Sequence, residues 1–73
     1  MSMERFLRYS LDHDREIRMI WMEAGQMRQG KVVVRRLEGG MAELYVCRPP
    51  RRTTVPVSDI FSCDYVKGDD GLN

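Results

Sequence analysis

The stretch Lys31-Val32-Val33-Val34-Arg35-Arg36-Leu37-Glu38-Gly39-Gly40-Met41-Ala42-Glu43-Leu44-Tyr45-Val46-Cys47 decides the fold class. Its first half is rich in β-branched residues, which fit a pleated, half-buried surface. Gly39-Gly40 then supplies two positions that accept positive φ, the requirement of a tight hairpin turn. In the second half Ala42, Leu44 and Val46 alternate with Glu43, Tyr45 and Cys47, the period of a strand with one face inward. Two antiparallel strands, about 30–38 and 41–47, are therefore expected, with Tyr45 on the face away from the core.

On the N-terminal side, Ile17, Met19 and Trp21 share one parity and predict a strand over about 15–24. Gly25-Gln26 is read as the start of a turn and Gly30 as its close. Before that strand the period lengthens. Met3, Phe6, Leu7 and Leu11 lie on one face of a helix over about 3–12, with Ser2 as its N-cap, Glu4 in its first turn and His13-Asp14 as its exit. On the C-terminal side, Pro49-Pro50 ends the third strand, since neither residue donates to a ladder. A fourth strand is expected over about 53–57, at an edge because of Pro56. Ser58-Asp59-Ile60 makes a short turn, and a fifth strand covers about 61–66. Residues 68–73 are read as a flexible Gly/Asp tail. The expectation is one domain over 1–67: mainly β, an N-terminal helix followed by a five-stranded antiparallel SH3/Sm-like small barrel.

The order of elements resembles Sm-like and SH3-like small barrels, and two bacterial groups look closest: the YolD-like family and, more distantly, the WYL-type domain. The matching pieces are Ile17-x-Met19-x-Trp21, Gly30-Lys31-Val32 and Val55-x-Val57-Ser58-Asp59-Ile60. The sequence departs from the WYL pattern, with Ala42-Glu43-Leu44 where Trp-Tyr-Leu would stand. It has Pro56 and Asp59 where such domains carry ligand-binding arginines, so that role is not carried over. The YolD-like resemblance implies a DNA-repair or damage-response setting; fold by itself does not fix function.

Length and composition narrow the function classes. With 73 residues the chain holds one core, and only about 60% of its unfolded surface can be buried. The longest apolar run, Met19-Ile20-Trp21-Met22, is far short of the roughly 20 residues of a membrane-spanning helix, and the N-terminus shows no apolar signal region, so a cytoplasmic setting is expected. Cys47 and Cys63 are too few for a disulfide scaffold. With His13 they fall short of a four-ligand zinc site, so no metal and no cofactor is expected. No Gly-rich phosphate cradle is present, and neither cysteine nor Ser58 has a histidine nearby in sequence. The reading is a protein that is not an enzyme.

Net charge is only +1, but it is unevenly spread. Residues 1–58 hold eleven basic and seven acidic groups, whereas 59–73 hold one and four. A local basic patch is therefore compatible with a balanced whole. The sharpest candidate is Arg48-Pro49-Pro50-Arg51-Arg52, read as a stiff loop whose guanidinium groups suit phosphate oxygens. The same arginines would equally keep a sheet edge soluble. Arg28 and Lys31 extend the patch, and Tyr45 is the aromatic residue beside it; Trp21, by parity, is core. Arg35 and Arg36 are expected on opposite faces of one strand. These residues point to a nucleic acid or an acidic protein as partner. Ile20 and Met22, opposite Trp21, are apolar on a face that should be polar, which suggests a second subunit. The two competing readings are a small-barrel binding module in a nucleic-acid-linked or regulatory setting and a self-assembling or protein-interaction module.

Overall fold

The computed structural model describes residues 3–71. It contains a helix, α1 (Glu4–His13), five strands, β1 (Ile17–Glu23), β2 (Gln26–Glu38), β3 (Met41–Cys47), β4 (Pro50–Pro56) and β5 (Ile60–Tyr65), and one 3-10 turn, Val57–Asp59. The strands form a single antiparallel sheet in the order β4-β3-β2-β1-β5. The protein is thus mainly β, a helix followed by a five-stranded small barrel with SH3/Sm-like strand order. The Ser2 cap lies outside the described residues; Met3 begins the helix with no side-chain cap.

The sheet curls because its inward residues share one core. Ile17, Met19 and Trp21 of β1 meet Val32 and Val34 of β2, Ala42, Leu44 and Val46 of β3, Val55 of β4 and Ile60 of β5. Two strands separate β1 from β4, yet Glu23 at the end of β1 bonds Arg51 and Thr53 of β4. Only a sheet bent back on itself brings these together. Both edges are strands at the ends of the order, and the 3-10 turn joins them. Its Val57 N–H donates to the Gly40 carbonyl of the β2–β3 hairpin at 2.8 Å.

α1 seals one end of the barrel with Phe6, Leu7, Tyr9 and Ser10 buried. Its most consequential contact is polar. A bulge at Arg35 shifts the β2–β3 register, and at that bulge the fully buried Ser10 accepts the Val34 N–H through its hydroxyl at 2.8 Å. The same hydroxyl donates to the Arg15 carbonyl at 2.6 Å. One small side chain therefore joins helix, bulge and the entry to β1.

Several sequence expectations are corrected by this structure. The first hairpin turns at Ala24-Gly25, with Glu23 paired to Gln26, so 26–30 is strand rather than loop and Gly30 pairs with Met19. Ala24 has φ 52° and Gly25 φ 77°, a conformation that sequence disguised because alanine rarely adopts it. β4 begins at Pro50, not at 53, because only Arg48-Pro49 are needed to turn from β3. Pro50 and Pro56 lie at the two ends of this edge strand, where a missing donor costs no ladder bond. β5 runs over Ile60–Tyr65.

The segment 68–71, expected to be a flexible tail, is packed as far as it is described. Asp69 accepts the Tyr9 hydroxyl at 2.8 Å and the Gly71 N–H at 2.9 Å. Gly71, at φ 77°, lies so close over Tyr65 that any Cβ would strike its ring. The Tyr65 ring in turn stacks obliquely on Phe6 at 4.8 Å and edge-on to Tyr9 at 5.2 Å. The domain thus extends past residue 67; Leu72 and Asn73 lie outside the described residues.

Candidate binding face

Register sorts the arginines. In β4, Arg52 pairs with Tyr45 and Arg51 with Val46. Adjacent residues in a strand point to opposite faces, so Arg52 joins Tyr45 outside and Arg51 joins the inward side with Val46. The three arginines expected on one loop are therefore divided: Arg48 sits in the two-residue turn, Arg52 on the outer face and Arg51 over the barrel end.

Arg51 is fully occupied. Its two terminal nitrogens bind both Glu23 carboxylate oxygens, at 2.8 and 2.9 Å. Glu23 also accepts the Thr53 hydroxyl at 2.7 Å and the Trp21 indole N–H at 3.0 Å. The Arg51 guanidinium, foremost, holds this carboxyl at a pKa of about 2, below an ordinary 4.5; the Thr53 and Trp21 bonds act in the same direction, against its desolvation. Arg51 is thus a structural clamp, its guanidinium occupied by Glu23 rather than open to a ligand. Glu23 was missed by sequence reasoning, because its partners arrive from a strand 28 residues away.

The remaining basic residues gather on the outer face of β2–β4. The Arg35 guanidinium lies 5.6 Å over the Tyr45 ring, and Arg52 is cross-strand from Tyr45 on its other side. Tyr45 is half-buried rather than open, lying between these two arginines. Lys31 lies two residues before Val33, the cross-strand partner of Tyr45, which places it on the same face of the sheet. Lys31 and Arg48 line a common groove with Gln29, Gly30, Glu16 and Cys47. The bulge at Arg35 breaks strand alternation, so Arg35 and Arg36 are both exposed, contrary to simple parity. Arg28 pairs with Trp21 and so lies on the other face from Lys31.

Ion pairing separates the groups further. Arg18 is bound to Asp64, Arg35 to Asp14 and Arg36 to Glu38. Arg28, Lys31, Arg48 and Arg52 are exposed and form no ion pair among the described residues. Of the residues singled out in the sequence, the structure therefore brings together Tyr45, Lys31, Arg48 and Arg52, adds Arg35, and sets Arg51 and Arg28 apart.

Both thiols are free and held protonated. Burial pushes Cys63 up to about 11; burial, and then the Glu16 carboxylate that accepts its S–H at 3.4 Å, do the same to Cys47. This is the opposite of an activated nucleophile. No group of three metal-ligating side chains occurs among the described residues. His13 ends α1, its ring 5.1 Å from Tyr9.

Ile20 and Met22 are half-buried on the outer face of β1. Ile20 lies between Gln29 and Ser62, and Met22 is cross-strand from Met27, which is 65% exposed. The helix does not cover them; it packs near Val34 and Tyr65, away from the Met22 end of β1. Phe61, the extra residue of the bulge between β1 and β5, is also exposed.

Fold and face together define a small barrel with one basic, aromatic-centred outer surface. No helix among the described residues is long and apolar enough to cross a membrane. A scan of protein-family models and searches of curated proteins and solved structures return no match for this chain.

Proposed function

We propose that the protein is a non-enzymatic, cytosolic binding module whose outer β2–β4 face takes the phosphate backbone of a nucleic acid. The observation that carries the reading is the register of Arg52 with Tyr45, which assembles Arg52, Tyr45, Arg35 and Lys31 on one surface with Arg48 at its end. Guanidinium forks suit phosphate oxygens, and a tyrosine held between them offers a ring edge or face to a base. The resemblance to YolD-like proteins points toward a DNA-repair or damage-response setting. An acidic protein would use the same charges.

The test is titration of fluorescent single- and double-stranded DNA at low and rising salt. Affinity should fall steeply with salt, and a Lys31→Gln, Arg48→Gln, Arg52→Gln triple variant should lose most of it. Absence of binding at low salt, or binding indifferent to salt, defeats the reading.

A second reading, self-association, is favoured by a different observation: the exposed Met27 and Phe61 beside half-buried Ile20 and Met22. Exposed apolar clusters of this kind mark contact surfaces. Light scattering over a concentration series decides it, since a strict monomer at high concentration excludes it.

A further inference from the structure

Among the described residues, Arg35 is the one cation of the basic face that carries a counter-ion. It is the extra residue of the β2 bulge, where Val34 pairs with Leu44 and Arg36 with Glu43. A bulge re-aims the side chain it carries. Here the guanidinium lies over Tyr45, 5.6 Å from the ring centre, and one terminal nitrogen donates to the Asp14 carboxylate at 2.7 Å.

This pair differs from the clamp on Glu23. Arg51 gives two nitrogens to two carboxylate oxygens, and the paired side chains are 35% and 19% exposed. Arg35 gives one nitrogen to one oxygen, and the paired side chains are 46% and 73% exposed. A single-point pair in water contributes little to stability. The rest of the Arg35 fork makes no hydrogen bond among the described residues.

Asp14 supplies an independent observation. It closes α1 in the left-handed region, at φ 55°, with its N–H on the Ser10 carbonyl. Glycine or asparagine is preferred at such a position. A carboxylate there also meets the negative end of the helix, where a cation is favoured. Closing the helix therefore gives no reason for an acid at position 14. Among the described residues its carboxylate has one ion-pair partner, Arg35.

We infer that Arg35 binds phosphate and that, in the free chain, the Asp14 carboxylate holds the phosphate's place on it, so that nucleic acid docks by exchanging Asp14 for a phosphate. The inference rests on the nucleic-acid reading and adds a built-in competitor to it. The exchange is favourable because a phosphate engages the guanidinium as a fork, two parallel bonds in place of one. Asp14 loses little on release, since it is already largely in water.

The experiment measures binding of fluorescent oligo-dT at one low salt concentration. Asp14→Asn and Asp14→Gly, both suited to the left-handed position, should bind about two- to fivefold tighter than the wild type, the effect of one exposed ion pair. Their melting temperatures should be no lower. Arg35→Gln should bind more weakly than the wild type, and Asp14→Asn should add nothing in the Arg35→Gln background. Asp12→Asn, the same charge change two residues away on α1, should leave affinity near the wild-type value. Unchanged affinity in Asp14→Asn, a gain that persists without Arg35, or an equal gain from Asp12→Asn overturns the inference and leaves the functional reading standing. Lower melting temperatures in both Asp14 variants make the pair a structural clamp and overturn it as well. No binding of oligo-dT by either the wild type or Asp14→Asn overturns both the inference and the functional reading.

Discussion

Ser10 shows how much one atom can hold. Its hydroxyl is the partner of the Val34 N–H at the β2 bulge and of the Arg15 carbonyl at the exit of α1. Ser10→Ala removes both bonds at a fully buried position, so stability should fall by about 1–3 kcal/mol in urea denaturation. Ser10→Gly should not do better, since it restores neither bond. Glu23 makes a second residue-scale prediction, through pH. Its carboxyl is held at about 2 in the folded chain, chiefly by Arg51, against an ordinary 4.5. A lowered folded-state value means that the ionised form favours folding. That contribution is complete above about pH 4.5 and is lost as pH falls toward about 2. Urea midpoints measured across this window should drop in the wild type, and Glu23→Gln should flatten that part of the profile while lowering stability at pH 7 by about 2 kcal/mol.

At the scale of elements, the β1–β2 hairpin carries a correctable strain. Ala24 sits at φ 52°, in the left-handed region, followed by Gly25 at φ 77°. Such a turn favours Asn-Gly, and a left-handed L-residue costs roughly 1–2 kcal/mol. Ala24→Asn should therefore raise stability by about 0.5–1 kcal/mol, read as a higher melting temperature; an unchanged or lower one refutes the turn assignment. The same hairpin shows why some elements were legible and others were not. Gly39-Gly40 announces its turn, because both residues accept positive φ without strain. Ala24 gives no such signal, so local sequence places the turn one residue late and disguises strand residues 26–30 as loop. The arginine segment failed for a related reason. Two prolines suggested a long loop, whereas only Arg48 and Pro49 turn, and β4 carries Arg51 and Arg52 to opposite faces.

At the scale of the whole molecule, the basic residues divide into two groups. Paired arginines away from the proposed face, such as Arg18, Arg36 and Arg51, serve the fold, while Lys31, Arg48 and Arg52 stand exposed without an ion pair among the described residues. If these three contact phosphates, each single neutralisation should reduce the slope of log affinity against log salt by about 1, with little change in melting temperature. Arg51→Gln should do the reverse, lowering melting temperature and leaving the slope intact. This contrast separates a binding arginine from a clamping one in a single pair of measurements.

Periodicity alone specified the helix, the inward parity of Ile17, Met19 and Trp21 and the outward parity of Tyr45, and Pro56 marked β4 as an edge. These are properties of neighbouring residues, and strand and helix periods express them locally. The tertiary structure decided what depends on distant partners: that Glu23 meets Arg51, that Ser10 meets the β2 bulge, that Asp69 fastens the end of the chain to Tyr9. It also decided which arginines are spent on carboxylates and which remain for a ligand. A curled sheet brings together strands far apart in the chain, and no local pattern encodes which side chains meet across it.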